Sequence, residues 1–138
     1  MAKGTRANQI LKKYASLQEI MLDKDLAKLG DAYVNFLYSL ALSQRLGKPV
    51  GAKVDNQTLA GALKNAGLRE ILPKRTDRHI QGNAAEALIA YAWLRKVSDF
   101  EESLRILREG EDRHEAFTKL LQEISKKLNL TQNANRRG

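Results

Sequence analysis

Asp31-Ala32-Tyr33-Val34-Asn35-Phe36-Leu37-Tyr38-Ser39-Leu40-Ala41-Leu42 carries its only charge on its first residue. A second stretch, Ala84-Ala85-Glu86-Ala87-Leu88-Ile89-Ala90-Tyr91-Ala92-Trp93-Leu94, carries its only charge on Glu86. Helices that are apolar all round are core elements. A carboxylate taken into a core without a partner costs several kcal/mol, to order of magnitude. Each acid therefore calls for a cation, a proton or a wet cleft. If both line one cleft, a divalent metal ion would satisfy them together.

Outward from these two runs, nearly every segment reads helical. Alternation of the strand type is absent, and Leu and Ala dominate the aliphatic residues. A first amphipathic helix is predicted from Ala7 to Met21, with Ile10, Leu11, Tyr14, Leu17 and Ile20 on one face. Asp23 or Asp25 caps a second helix that continues to Leu46 and stops at Gly47. Asp55 caps a third, Asn56 to Ala66, followed by a short helical turn from Leu68 to Leu72 that Pro73 closes. The next helix begins within Thr76 to Gly82 and runs to Val97. Ser98 caps another, Asp99 to Glu109, and a last helix spans Glu111 to Leu128. The fold class is all-α, with six or seven helices in one domain over residues 1–130. Residues 131–138, polar and basic, are expected as a flexible tail.

Bulk properties agree. The chain has 138 residues, 43% of them hydrophobic, which is one domain with a core of its own. Cysteine is absent, which excludes disulfides and thiolate metal sites and fits a cytoplasmic protein. Ile10-Leu11-Lys12-Lys13 is charged where a signal peptide would be apolar. No apolar run approaches the roughly 18–20 residues that span a bilayer, so no membrane partner is expected. The formal net charge of +8 points to a polyanion, with nucleic acid the leading partner.

Leu26-Ala27-Lys28-Leu29-Gly30-Asp31-Ala32-Tyr33-Val34 resembles the signature helix of the ribonuclease III endonuclease domain. Glu86-Ala87-Leu88-Ile89-Ala90-Tyr91 resembles the second conserved helix of that family, where a glutamate precedes Ala-Leu-Ile-Gly. The 55 positions from Asp31 to Glu86 also suit it. The resemblance covers roughly residues 23 to 97. Two of the family's four acids are missing: the glutamate expected four residues before Asp31 is Ala27, and the aspartate expected three before Glu86 is Asn83. A double-stranded-RNA-binding domain is also absent from this sequence. Both features resemble the short Mini-III subclass, which keeps only the aspartate of the first motif and the glutamate of the second.

The resemblance implies a metal-dependent endoribonuclease. It would hydrolyse phosphodiester bonds in structured or double-stranded RNA and leave 5′-phosphate and 3′-hydroxyl ends. Its active form would be a homodimer with a shared cleft. Asp31 and Glu86 would be catalytic. With Asn83 they would hold Mg²⁺, or Mn²⁺ in its place; magnesium is usually bound by one or two carboxylates plus substrate phosphates. Helical spacing puts His79, Asn83 and Glu86 on one stripe, and Asp31, Asn35 and Tyr38 on another. Lys64, Arg69, Lys74, Arg75, Arg78 and His79 crowd the stretch before Glu86, against only Glu70 and Asp77, and are the expected RNA-binding residues. Ala27 and Asn83 motivate an alternative, a catalytically inactive RNA-binding relative, for example in ribosome assembly. A DNA-binding helix-turn-helix over Thr58 to Ile71 is a third reading, weakened by Pro73, which leaves little recognition helix.

Overall fold

The computed structural model describes residues 10–137, with side chains to residue 129. Among the described residues the chain forms six helices and no strand. They are α1 (Leu17–Met21), α2 (Lys24–Leu46), α3 (Asn56–Asn65), α4 (Arg78–Leu94), α5 (Phe100–Glu109) and α6 (Arg113–Arg137), with a 3₁₀ turn, Arg69–Ile71, between α3 and α4. None of the described helices is long and apolar enough to cross a membrane.

The second of the two apolar runs is the centre of the molecule. α4 packs against α1, α2, α3 and α6, and every residue from 84 to 90 is buried. Its small residues, Ala84, Ala85, Ala87 and Ala90, let those neighbours come close. The space around them is filled by Val34 and Leu37 of α2, Leu59 and Leu63 of α3, and Phe117, Leu120, Leu121 and Ile124 of α6. α5 lies against α2 and α6 through Leu104 and Leu107.

Aspartates start four of these helices. Asp23, Asp55, Asp77 and Asp99 each accept a hydrogen bond from a first-turn backbone N–H, at 2.6 Å for Thr58 and 2.9 Å for Ile80. Such caps contribute about 1 kcal/mol each. Gly47 ends α2 in the left-handed conformation, φ 73°, that glycine adopts without steric cost.

A polar ladder runs down α2 and ties a loop to it. Ser43 Oγ accepts from the Val50 N–H at 2.9 Å, Ser39 Oγ from Ala52 at 2.8 Å, and Asn35 Oδ1 from Val54 at 2.8 Å. Residues 49–55, which have no regular secondary structure, are thereby held against the helix.

Several boundaries differ from those predicted. Of the first predicted helix, residues 7–9 lie outside the described residues, and 11–16 are not helical. Ser16 and Glu19 form a variant of the capping box, shifted by one residue: Ser16 Oγ accepts from the Glu19 N–H at 3.2 Å, and Glu19 Oε1 from the Ala15 N–H at 2.9 Å. That box starts a new helix at Leu17. α4 stops at Leu94 rather than Val97 because Lys96 turns to φ 60° and the Val97 and Ser98 N–H groups fold back onto the Ala92 carbonyl. Asp99, not Ser98, caps α5; Ser98 is buried against the Ser103 hydroxyl at 2.7 Å. α6 begins at Arg113 and continues to Arg137, so the backbone of residues 131–137 is helical where a loose tail was expected. No Gly or Pro interrupts the chain from Glu111 to Arg137, and nothing local ends the helix. The short turn before Pro73 is a three-residue 3₁₀ helix, far too little for a recognition helix.

Candidate active site

Gly30 sets the geometry. A Cβ there would stand 2.5 Å from the carbonyl carbon of Glu86, so only glycine lets the two helix backbones touch at this level. The next residue on α2 is Asp31. Its carboxyl group and that of Glu86 line the same cleft, close enough for Asp31 to act on the Glu86 carboxyl. The two acids expected to share a cleft therefore do.

Both line a cavity of about 1000 Å³ between the N-terminal half of α2, the loop before α3 and the start of α4. Glu86 is 4% exposed and Asp31 half-buried. Burial, then the hydrogen bond to Asp31 and the charge of Asp31, push the Glu86 carboxyl up to about 8 from its ordinary value of 4.5; Lys53 pulls the other way. Asn35 Nδ2 donates to Asp31 Oδ1 at 3.2 Å and so orients that carboxylate.

Asn83 lines the same cavity, one turn before Glu86, and so does Ala27. His79 does as well, its Nδ1 3.2 Å from Asn56 Nδ2. Two carboxylates and a neutral amide oxygen make a donor set of hard oxygens that fits Mg²⁺. Among the described residues no three acidic or imidazole side chains gather in a metal-binding group, so a bound ion would take its remaining ligands from water or phosphate. Asp55 and Asp77 also border the cleft, but their carboxylates are engaged as caps of α3 and α4.

Other expected positions lie elsewhere. Tyr38 packs on Phe117, ring centroids 6.0 Å apart, and is not on the cleft. Lys64, Lys74, Arg75 and Arg78 are exposed but do not line the cavity. Arg69 donates to the carbonyls of Pro73 at 3.2 Å and Lys74 at 2.9 Å, closing the loop before α4. The reason is helical: α4 starts at Arg78, and from it His79, Ile80, Asn83 and Glu86 face the cavity. The cations that do line the cleft, Lys24, Lys28 and Lys53, were missed. Lys24 and Lys28 had a signal in the sequence, since they stand seven and three residues before Asp31 on one helical stripe. Lys53, in an irregular loop, had none.

A smaller cavity, about 460 Å³, lies between α5 and α6, bordered by Glu102, Arg105, Glu109, Lys119 and Glu123. It holds no comparable pair of buried acids.

No curated protein matches the chain at a significant level. The profile of the family described as Ribonuclease III matches residues 24–134, from the first residue of α2 to the last turn of α6. That span contains the Gly30 contact, the carboxyl pair and the cleft, and the chain belongs to the ribonuclease III family.

Proposed function

We propose that the protein is a metal-dependent endoribonuclease of the short, Mini-III-like kind. It hydrolyses phosphodiester bonds in structured or double-stranded RNA and leaves 5′-phosphate and 3′-hydroxyl ends. The family acts on RNA and generally uses a divalent metal ion. The observation that carries the proposal is the pair of carboxyl groups, Asp31 and Glu86, brought from two helices into one open cleft of about 1000 Å³. Mg²⁺ or Mn²⁺ bound at the two carboxyl groups would satisfy both.

Asp31, Glu86 and the Asn83 oxygen would hold the ion. When bound, it supplies charge neutralisation at the phosphate and a water acidic enough to attack at neutral pH. The chain's own groups do the rest. Asn35 keeps Asp31 aimed at Glu86. Apolar burial around Glu86 strengthens its attraction for any cation. His79 lies on the cleft wall to contact a flanking phosphate. Lys64, Lys74, Arg75 and Arg78 form an exposed basic segment outside the cleft, suited to the backbone of a longer duplex.

A second copy of the chain completes the reading. Leu29 and Phe36 on α2 and Trp93 at the end of α4 are 40%, 58% and 38% exposed. Tyr33 stacks on Trp93 at 4.8 Å, and Phe36 lies 6.2 Å from Phe100. This patch joins α2, the helix that carries Asp31, to the end of α4 and the start of α5, and a homodimer would cover it. Phe36→Asp is then expected to leave a folded monomer in sedimentation.

The test is cleavage of a duplex RNA panel with Mg²⁺ or Mn²⁺. Wild type should cut, with ends that a 5′-phosphate-dependent ligase accepts, and Glu86→Gln should not. Ala27, which removes an acid from the cleft, favours the second reading, an inactive RNA-binding protein. Duplex binding without cleavage in either metal would establish it.

A further inference from the structure

The cleft that holds the carboxyl pair also holds cations that the chain leaves uncommitted. Lys24, Lys28 and Lys53 line it, and none of their three side chains is in an ion pair or a hydrogen bond among the described residues. Some basic side chains elsewhere are engaged: Arg113 reaches Asp55 at 3.5 Å, Arg69 closes its loop, and Lys119 and Lys126 pair with Glu115 and Glu123 along α6.

Lys53 is the best placed. The residues on either side of it are fixed, Ala52 to Ser39 and Val54 to Asn35. Asn35 uses its carbonyl oxygen for Val54 and its amide nitrogen for Asp31. One side chain therefore sets the position of the Lys53 backbone and of the Asp31 carboxylate together. The Lys53 charge is close enough to act on Glu86. Lys28 stands on α2, one turn before Asp31, on the same cavity.

The electrostatics call for such groups. A phosphodiester approaching Asp31 and Glu86 meets negative charge. Ala27 and Asn83 stand where the family's other two acids would recruit more cation from solution. Lysine is a compact charge suited to one phosphate oxygen.

We propose that Lys53, seconded by Lys28, binds the phosphate group that lies over the Asp31–Glu86 pair and supplies positive charge that the two missing acids would otherwise recruit as metal. The inference rests on the endoribonuclease reading. Lys53 is then a substrate-binding residue of the reaction, and Asn35 a positioning residue that acts through it and through Asp31.

The experiment uses the full chain and a short RNA duplex. Binding is measured against salt in EDTA, and cleavage in Mg²⁺, for wild type, Lys53→Gln, Lys53→Arg, Lys28→Gln and Lys126→Gln. Losing one phosphate contact lowers the slope of log affinity against log salt by about one. Lys53→Gln should show that drop and at least about a tenfold loss of kcat/KM, with an unchanged melting curve since the side chain is exposed. Lys53→Arg should restore the slope, Lys28→Gln should show a smaller loss of rate, and Lys126→Gln, whose residue pairs with Glu123, should match wild type. An active wild type whose slope and rate survive Lys53→Gln overturns the inference and leaves the endoribonuclease reading intact. A wild type that neither binds nor cuts duplex overturns both.

Discussion

Two carboxylates in this protein are almost wholly out of solvent, and they are treated in opposite ways. Asp23, with 7% of its side chain exposed, is surrounded by donors: the Tyr14 hydroxyl at 2.6 Å, the Asp25 and Leu26 N–H groups at 3.0 and 3.2 Å, and Lys12 at 4.0 Å. Burial alone would raise it; those partners outweigh burial and hold the carboxyl below its usual range. Glu86 has another carboxyl group as its partner, and it is driven up to about 8. The first acid is a structural cap. The second has no such ring of donors, and burial and its neighbour hold it protonated. Burial does not distinguish them; the supply of donors does, and a strongly perturbed acid in a cleft marks a functional site.

The comparison breaks most sharply on activity. Glu86→Gln should abolish metal-dependent RNA cleavage, by more than the about 100-fold that removing a metal ligand's supporting hydrogen bond costs. Asp23→Asn should leave the rate within about twofold of wild type, since nothing in the cleft touches it. Gly30→Ala comes next: its methyl group would collide with backbone at Glu86, not with a side chain that could swing away. The expected loss is about 3 kcal/mol of stability by chemical denaturation, together with cleavage, because the helices must separate where the acids meet.

A pH titration of metal-free protein separates the two acids by sign. Folded Glu86 keeps its proton to about pH 8, whereas the unfolded chain releases it near 4.5. The native state then binds more protons than the unfolded one, and stability falls as pH rises through that window, on the order of 2 kcal/mol after allowance for screening. Asp23 works in reverse, and its contribution is lost as pH falls through its depressed folded value. Thermal melts in EDTA should show both limbs, with Glu86→Gln flattening the alkaline one. A melting temperature that does not change from pH 5 to 8 would count against the raised Glu86 carboxyl. Asp23→Ala comes last, at about 1–2 kcal/mol from the lost cap and the lost Tyr14 hydrogen bond, measured by the same denaturation.

Much of this was legible in the sequence. Aspartate caps, Gly47 and the apolar runs placed α2, α3 and α4 to within a few residues, because those signals are local. Asp31 and Glu86 stood out for the same reason, as lone charges in runs that had to be buried. What failed was tertiary. The periodicity of Ile10, Leu11, Tyr14, Leu17 and Ile20 suggested one helix, whereas the Ser16–Glu19 box starts afresh at Leu17. Counting basic residues near Glu86 selected Arg69, whose guanidinium serves its own loop. Lys53 lies 33 positions before Glu86 and reaches it only through the folding of an irregular segment. Gly30 was quoted for its motif; its value lies in the carbonyl across the interface, which no single chain segment reveals.

The rungs at Asn35, Ser39 and Ser43 have one more implication, which concerns length. Four residues of α-helix advance about 6 Å, and two residues of extended chain advance about 6.6 Å. The two pitches nearly match, so a helix with a polar side chain every fourth position can template an antiparallel extended segment at every second one, as these three do with Val54, Ala52 and Val50. In hydrogen exchange the segment should therefore imitate an edge strand: slow amides at 50, 52 and 54, with faster ones at 51 and 53. A single inserted residue between 50 and 54 would put that pattern out of step.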